Sequence, residues 1–306
     1  MREYLVSKLL HTAVVAFCVL TLVFVVLHIT GDPVLMLLPP DPSTEEVEAL
    51  TRALGLDQPL YVQYWRFFVK VASGDFGNSL QHQQPAMALV MERLPASLLL
   101  TVTGVVLAVL AAVPLGIVAA VRHGTLVDHA AVTLAAVGQS APFFWIALML
   151  MLVFAVTLRL VPTTGYGTWQ HLVLPGLTLA TYPTAAIARL VRANMLDVLA
   201  MDYVTAARAK GLRERRVVPK HALKNAAIPA VTVIGLQFGL LLGGSIVCEM
   251  IFAWPGVGRL IIFAIYNRDY PLVEAAVFVM AMVFVLMNLL VDLCYAWLDP
   301  RVGVRA

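Results

Sequence analysis

Six long runs of the chain contain no Asp, Glu, Lys or Arg and are separated by more polar segments. A bilayer core about 30 Å thick needs about 20 apolar residues in a helix that rises about 1.5 Å per residue. The runs are close to that length, so the pattern predicts six transmembrane helices in an all-α integral membrane protein. The six runs are Leu9–Ile29, Ala96–Val121, Ala130–Leu158, His171–Ala188, Ala226–Cys248 and Ala275–Val291.

The composition agrees with a membrane protein and excludes several other classes. Of the 306 residues, 61% are hydrophobic and 13% are charged, and the mean hydropathy is +0.87. A soluble domain usually has about 25% charged residues, so the composition excludes a soluble globular enzyme, a disordered chain and a nucleic-acid-binding protein. The three cysteines lack C-x-x-C spacing, and no two histidines lie three or four residues apart, which argues against disulfide and metal sites.

The distribution of basic residues predicts which loops face the cytoplasm. With the N-terminus inside, the inner segments contain 14 Lys and Arg residues and the outer segments contain seven. Nine of the 14 lie between Arg189 and Lys224, in the loop after the fourth run. Because short basic loops stay on the cytoplasmic side, both termini are predicted to be cytoplasmic, in a multi-pass protein of the plasma membrane.

The segment between the first two runs carries local helix signals. Ser43 and Glu46 form the pattern of a capping box for a helix over Ser43–Leu54, and Gly55 is expected to end that helix. An amphipathic, aromatic-rich helix over Tyr61–Val71 is predicted to follow. This helix either lies on the membrane surface, as interfacial aromatic residues do, or docks an external partner.

The segment before the last run is too interrupted by Pro and Gly to cross the bilayer. A short re-entrant or surface helix is expected over Leu260–Tyr266, near the outer mouth of a pathway, because irregular backbone at membrane depth needs protein or water around it. Glu249 either meets a substrate ammonium group in an outer cavity, or pairs with Arg259 or a neighbouring chain. The candidate pathway or outer-gate residues are Glu249, Trp254, Pro255, Gly256 and Gly258.

The basic inner loop has the pattern of a short helix that ends at a glycine. Asp202 is expected to cap this helix, and Gly211 to end it in the left-handed conformation with Leu212 folded back on Ala207. Ala206 and Ala207 would then expose a smooth surface ringed by basic residues. Such a surface suits the docking of another protein, and the alternative is a solvated loop held by anionic lipid head groups.

The pattern Ala-Ala-x3-Gly at residues 206–211 resembles the coupling loop of permease subunits of bacterial ABC importers, which is named for its Glu-Ala-Ala motif. Further motifs are similar to the peptide/nickel branch of those permeases, in order and over nearly the whole chain. They are Gly31-Asp32-Pro33, Leu54–Pro59, Gly74–Gly77, Arg93–Ala96, His171–Pro175, Asp202–Leu212, His221–Asn225, Trp254–Arg259, Arg268–Pro271 and Leu298–Arg301. Thr205 stands where the general motif has Glu, which leaves open the residue that pairs with the ATPase; Asp202 is one candidate.

The resemblance implies the type I permease fold of ABC importers and a division of labour among subunits. This chain would form a heterodimer with a second, homologous permease, above two ATPase subunits, and an external solute-binding protein would deliver the substrate. ATP and Mg²⁺ would bind the ATPases, because this chain has no G-x-x-x-x-G-K-[ST] run; it is expected to bind no cofactor and to be no enzyme. The short inner helix would seat in a groove of the ATPase. The residues expected to couple to the ATPase are Asp202, Tyr203, Thr205, Ala206, Ala207, Arg208, Lys210, Gly211 and Leu212.

The implied function is one half of the translocation pathway of an importer in the bacterial inner membrane. The expected substrates are short peptides, that is dipeptides, oligopeptides or glutathione, and nickel or a metal chelate is the alternative within the family. A secondary transporter driven by an ion gradient is the alternative of a different class, but the six runs contain no carboxylate for a proton relay. The expected organisation is a first transmembrane helix (1–30), an external loop region (31–95), a five-helix core (96–298) with the coupling loop at 195–225, and a cytoplasmic tail (299–306).

Overall fold

The computed structural model describes residues 10, 12–22, 24–25, 43–54 and 57–298. These residues form helices and their connections, with one isolated bridge between Asn78 and Pro85 and no β-sheet among them. The Gly31-Asp32-Pro33 motif, Gly55 and the predicted tail lie outside the described residues. The all-α prediction is confirmed.

The described residues contain the following helices in chain order. The first three are α1 (Thr12–Leu22), α2 (Thr44–Leu54) and α3 (Leu60–Ala72). The next four are α4 (Ala86–Val121), α5 (Leu126–Ser140), α6 (Phe143–Leu150) and α7 (Trp169–Leu199). The last four with eight or more residues are α8 (Asp202–Ala209), α9 (Lys224–Ile251), α10 (Val257–Tyr266) and α11 (Tyr270–Leu298), and a three-residue helix, Glu214–Arg216, lies between α8 and α9. The π-helical segments Met151–Thr157 and Val217–Leu223 continue α6 and precede α9.

Small residues bring α4 and α7 close together in the core. A Cβ atom at Gly104 of α4 would lie 2.7 Å from the Cβ of Leu179, and one at Gly116 would lie 2.8 Å from the carbonyl oxygen of Ala188. Membrane helices associate through such close contacts rather than through a hydrophobic driving force. The helix that leads to the inner loop, α7, therefore lies directly against α4.

The predicted third span, Ala130–Leu158, folds as two helices instead of one. The axes of α5 and α6 are bent by 104° at Ala141-Pro142. Ala141 is extended, with φ −76° and ψ 138°, and Pro142 begins the next helix. The reason is local: a residue before proline avoids the helical conformation, and proline has no N–H to continue the hydrogen-bond ladder. The single helix predicted for this run is corrected to a broken pair.

Three helical stretches among the described residues are long and apolar enough to cross a membrane, and the bent pair makes a fourth if it counts as one span. They are Ala86–Val121, Pro229–Ile251 and Tyr270–Val291. The predicted fourth run lies in α7, a continuous helix of 31 residues. The composition of α7 is more polar than that of these three stretches. The predicted first run is described only in part, with α1 at its centre. The total of six spans therefore stays a prediction.

The outer segment between α1 and α4 contains both predicted helices. The capping box is present, because the backbone N–H of Ser43 donates to Glu46 Oε2 (2.9 Å) and the N–H of Glu46 donates to Ser43 Oγ (3.2 Å). The backbone hydrogen bond from Ser43 lowers the pKa of Glu46 below its ordinary value. The aromatic helix α3 contacts α1, where the Tyr64 and Thr21 hydroxyls lie 2.8 Å apart, and it exposes Trp65 on another side. The choice between a membrane surface and an external partner for that side stays open.

Candidate coupling site

The inner loop contains the predicted short helix, α8, and the predicted glycine stop. Gly211 has φ +78°, in the left-handed region. Its N–H donates to the carbonyl oxygen of Arg208 (2.9 Å), and the N–H of Leu212 donates to that of Ala207 (3.3 Å). This pair of hydrogen bonds is a Schellman motif, in which glycine avoids the steric cost that a Cβ atom brings at positive φ. The predicted end of the helix is confirmed.

The predicted start of the helix is wrong in one respect. Asp202 is the first residue of α8, and its side chain makes no capping hydrogen bond, whereas Met201 occupies the cap position. The main-chain carbonyl of Met201 accepts the first helical hydrogen bonds, from the N–H groups of Val204 (3.0 Å) and Thr205 (3.2 Å). The Asp202 carboxylate is exposed at the positive end of the helix dipole, where a negative charge is favourable.

The exposed surface of α8 also differs from the predicted one. Ala207 is buried, with 6% of its surface exposed, and so is Val204, which belongs to one apolar cluster with Val217 and Ala222 of the following π-helical segment. The prediction that both alanines are exposed is therefore correct for Ala206 and wrong for Ala207, because the second helical segment folds back against α8. The exposed stripe of α8 consists of Asp202, Thr205, Ala206 and Ala209, at helical spacings of three and four residues.

Two polar contacts fix α8 to its neighbours. The hydroxyl of Tyr203 accepts a hydrogen bond from Asn225 Nδ2 (2.8 Å) and lies 3.3 Å from the carbonyl oxygen of His221, to which it donates. The Arg208 guanidinium pairs with Glu214, at 2.7 Å between Nε and Oε1. Both residues were predicted to contact the ATPase, and the structure gives each of them a partner within this chain.

Lys210 differs from Arg208, because it is exposed and none of the ion pairs found among the described residues includes it. The exposed stripe and Lys210 therefore remain available to a partner.

The position of α8 links it to two long helices. Only Ala200 and Met201 separate it from α7, and the hydrogen bond from Asn225 ties it to the first turn of α9. The helix α8 is therefore connected directly both to α7 and to α9. Asn225 was recognised in the sequence only as part of a motif, since its partner Tyr203 lies 22 residues away and no local pattern connects the two.

The predicted outer-gate residues surround the buried carboxylate of Glu249, whose exposed fraction is 0%. Oε1 accepts hydrogen bonds from the hydroxyls of Ser97 (2.6 Å) and Ser245 (3.3 Å), and Oε2 accepts one from the backbone N–H of Arg259 (2.9 Å). Arg259 lies in the first turn of α10, so the carboxylate holds the N-terminal end of that helix. The Arg259 guanidinium donates to the carbonyl oxygen of Ala253 (2.7 Å). The expected pairing of Glu249 with Arg259 thus occurs through the main chain and not as an ion pair.

The loop before α10 is fixed against α4. The indole Nε1 of Trp254 donates to the carbonyl oxygen of Ala96 (2.9 Å), and the backbone N–H of Val257 donates to Ser97 Oγ (2.8 Å). This capped start places α10 at Val257, three residues before the predicted start of the helix.

The candidate gate residues are closely packed around Glu249. Trp254, Gly256 and Gly258 are buried, and Pro255 is partly buried. Glycine is required at 256 because a Cβ atom there would collide with the Glu249 carboxylate. These residues hold α10 against α4 and α9, and a role in an outer gate stays a prediction.

Comparison with known proteins identifies the family. Residues 112–304 match the family described as "Binding-protein-dependent transport system inner membrane component", and residues 1–101 match the family of its N-terminal part. The chain belongs to this family. Two relatives named "Glutathione transport system permease protein GsiC", from Salmonella paratyphi A and Escherichia coli strain K12, are 42% identical to it over 306 residues, which is 100% of each chain. This binding-protein-dependent permease is an ABC importer permease of the peptide/nickel branch, as the sequence motifs predicted, and a multi-pass protein of the inner membrane.

Solved structures support the permease fold. A chain of the MetNI methionine ABC transporter in an inward-facing conformation has a TM-score of 0.59 at 18% sequence identity, over 70% of this permease and 97% of that chain. A chain of an amino acid ABC transporter with histidines has a TM-score of 0.51 at 18% identity, over 70% of this permease and 94% of that chain. At this identity the likeness concerns the fold alone, and it agrees with the predicted permease fold.

Proposed function

We propose that this permease forms half of the translocation pathway of an ATP-driven importer for short peptides, with glutathione as a substrate to test first. The named relatives support this substrate class, because they are similar over the complete length and not only in the membrane core. A second, homologous permease completes the pathway as a heterodimer. Two ATPase subunits bind ATP and Mg²⁺, and an external solute-binding protein delivers the peptide.

The observation that carries the proposal is the exposed stripe of α8. Its four residues, Asp202, Thr205, Ala206 and Ala209, are small or short, so the backbone of a partner can approach closely. The stripe lies on a helix that is stopped by Gly211 and held by side-chain contacts to the loop and to α9. A partner that moves this helix therefore moves the membrane helices rather than deforming a loop.

The coupling step follows from this arrangement. The ATPases close when they bind ATP and displace α8, since α8 seats in a groove on the ATPase surface. The displacement passes directly into α7 and, through Tyr203 and Asn225, into α9. The residues of this chain supply positions and contacts only, and the chemical free energy comes from hydrolysis on the partner subunits.

The experiment is reconstitution of the complete complex in proteoliposomes. The chain, its partner permease and the ATPases are supplied with ATP inside the vesicle and with the binding protein outside, in the orientation of import, and uptake of glutathione, a dipeptide and Ni²⁺ is compared. We expect uptake of glutathione or the dipeptide that requires both ATP and the binding protein. Uptake of Ni²⁺ in the absence of peptide would assign the chain to metal import instead. Uptake that follows an imposed proton or sodium gradient without ATP would make it a secondary transporter.

A further inference from the structure

An ion pair with a buried carboxylate lies where α4, α5 and α7 meet on the side of the inner loop. Asp128, the third residue of α5, has 1% of its surface exposed. Its carboxylate receives two hydrogen bonds from Arg192 of α7, from Nε to Oδ1 (2.6 Å) and from Nη2 to Oδ2 (2.7 Å). Oδ2 also accepts the backbone N–H of Gly124 (3.0 Å), and Nδ1 of His123 lies 3.1 Å from both Oδ2 and Arg192 Nη2.

The geometry of this contact fixes the orientation of α5 relative to α7. A bidentate pairing between a guanidinium and a carboxylate fixes orientation as well as distance, because both groups are planar and share two parallel hydrogen bonds. The backbone bond from Gly124 adds the connection between α4 and α5 to the same cluster. Asp128 and Arg192 are 64 residues apart in sequence, so this link exists only in the folded chain.

The three helices also contact one another through apolar side chains. A narrow crevice between α4, α5 and α7 is lined largely by small side chains, which include Gly116, Ala119, Ala131, Ala135 and Ala188. At its other end, α5 stops at the 104° bend at Ala141-Pro142. The ion pair is the polar contact that ties the inner end of α5 to α7, and the bend separates α5 from α6.

Arg192 lies on the helix that carries the coupling site. It is seven residues before Leu199, the last residue of α7, which corresponds to about 10 Å along the helix at about 1.5 Å per residue. α7 leads into α8 with two residues between them. Because Arg192 lies near the end of α7 that is joined to α8, a displacement of α8 reaches Arg192 before it reaches the residues nearer the start of α7.

We infer that the Asp128–Arg192 pair, with His123 and Gly124, makes the inner end of α5 move together with the coupling helix α8. Asp128 and Arg192 are positioning residues, which act through α5 and touch neither substrate nor ATP. The broken span then turns at Ala141-Pro142 when α8 is displaced. This inference rests on the proposed function, since it assumes that α8 receives motion from an ATPase.

The first test compares uptake with ATP hydrolysis in the reconstituted complex. Arg192→Ala and Asp128→Asn should assemble with the partner subunits and still hydrolyse ATP in response to the binding protein. The number of substrate molecules imported per ATP should fall roughly tenfold, within the range typical of coupling between sites. Arg189→Ala is the matched control, because Arg189 is an exposed cation one turn earlier on α7, and it should keep the parental ratio. An unchanged ratio in Arg192→Ala overturns the inference while leaving the proposed function intact.

A second test does not depend on the folding of any of those variants. Spin labels are placed at two exposed positions, Leu126→Cys on α5 and Asp197→Cys on α7, in the assembled complex with Cys18, Cys248 and Cys294 replaced by Ala. The distance between the labels should be the same without nucleotide and with trapped ATP, because the two helix ends move as one body. A nucleotide-dependent change in that distance refutes the inference. Loss of ATP-dependent uptake in the parent complex would instead refute the proposed function.

Discussion

Replacing Gly211 tests the coupling site most directly, because the structure separates backbone conformation from side-chain packing there. Gly211 has φ +78°, and a Cβ atom built at this position meets nothing within 4 Å. A Cβ atom therefore meets no other atom of this chain, and the effect expected within the chain comes from the backbone. Gly211→Val is the perturbation, and Gly211→Asn is its matched control, since Asn adopts the left-handed conformation more readily than a β-branched residue.

The expected magnitude follows from the same geometry. A residue with a Cβ atom costs roughly 1–2 kcal/mol in the left-handed region. The C-terminal end of α8 is closed when both Schellman hydrogen bonds are formed and open when they are broken. The cost shifts the equilibrium toward the open form by about 5- to 30-fold. The two Schellman hydrogen bonds, from Gly211 to Arg208 and from Leu212 to Ala207, are lost in the open form, so the exposed stripe of α8 is no longer held in a fixed orientation.

The assay is the ratio of substrate imported to ATP hydrolysed in proteoliposomes that contain the complete complex. Gly211→Val should assemble in the membrane but import far less substrate per ATP, whereas Gly211→Asn should stay close to the parent. Normal uptake by Gly211→Val would contradict the docking role of α8. Equal loss in both variants would show that the conformation at this position is not the cause.

Three further predictions concern charge and packing. Lys210→Glu should weaken co-purification of the ATPase subunits, because an exposed cation beside the stripe becomes an anion. If the ATPases co-purify as they do with the parent, with the same sensitivity to salt, Lys210 is not part of the interface. Glu249→Gln should destabilise the permease by about 1–3 kcal/mol, measured as a lower thermal midpoint in detergent. The Ser97 hydroxyl and the backbone N–H of Arg259 donate to different carboxylate oxygens, and in Gln one of these oxygens becomes an NH2 group that cannot accept. An unchanged midpoint would contradict this. Gly256→Ala should also lower the midpoint, because its Cβ meets the Glu249 carboxylate, whereas Gly244→Ala, which meets nothing within 4 Å in this chain, should leave it unchanged.

The sequence predicted those elements whose causes lie within a few residues. The capping box of Ser43 and Glu46 and the stop at Gly211 both depend on contacts across at most five positions, and both are present. The apolar runs predicted the helices of the core because each helix satisfies its own backbone hydrogen bonds within the membrane. Errors occurred at the boundaries, as at α10, which starts at Val257 because a carboxylate from another helix holds its N-terminal turn.

The sequence located the candidate coupling site, but it did not show which of its residues are buried and which pair within this chain. The motif located α8, and the structure then assigned Ala207 to the interior and Arg208 to a pair with Glu214. Both outcomes depend on how the chain after Gly211 folds back on α8. A periodic pattern indicates that a helix has a buried side, but over only eight residues it does not indicate which neighbour covers that side.

By itself, the sequence determined that this protein crosses a membrane as helices, where the capping box of Ser43 and the stop at Gly211 lie, and which family it belongs to. The apolar runs, the charges, the glycines and the ordered motifs are all properties of the linear chain. Only the tertiary structure decided that Glu249 meets Ser97, 152 residues away, and that Asp128 meets Arg192, 64 residues away. A polar side chain in an apolar environment is strongly driven to find a partner, but the identity of that partner depends on which helices lie side by side.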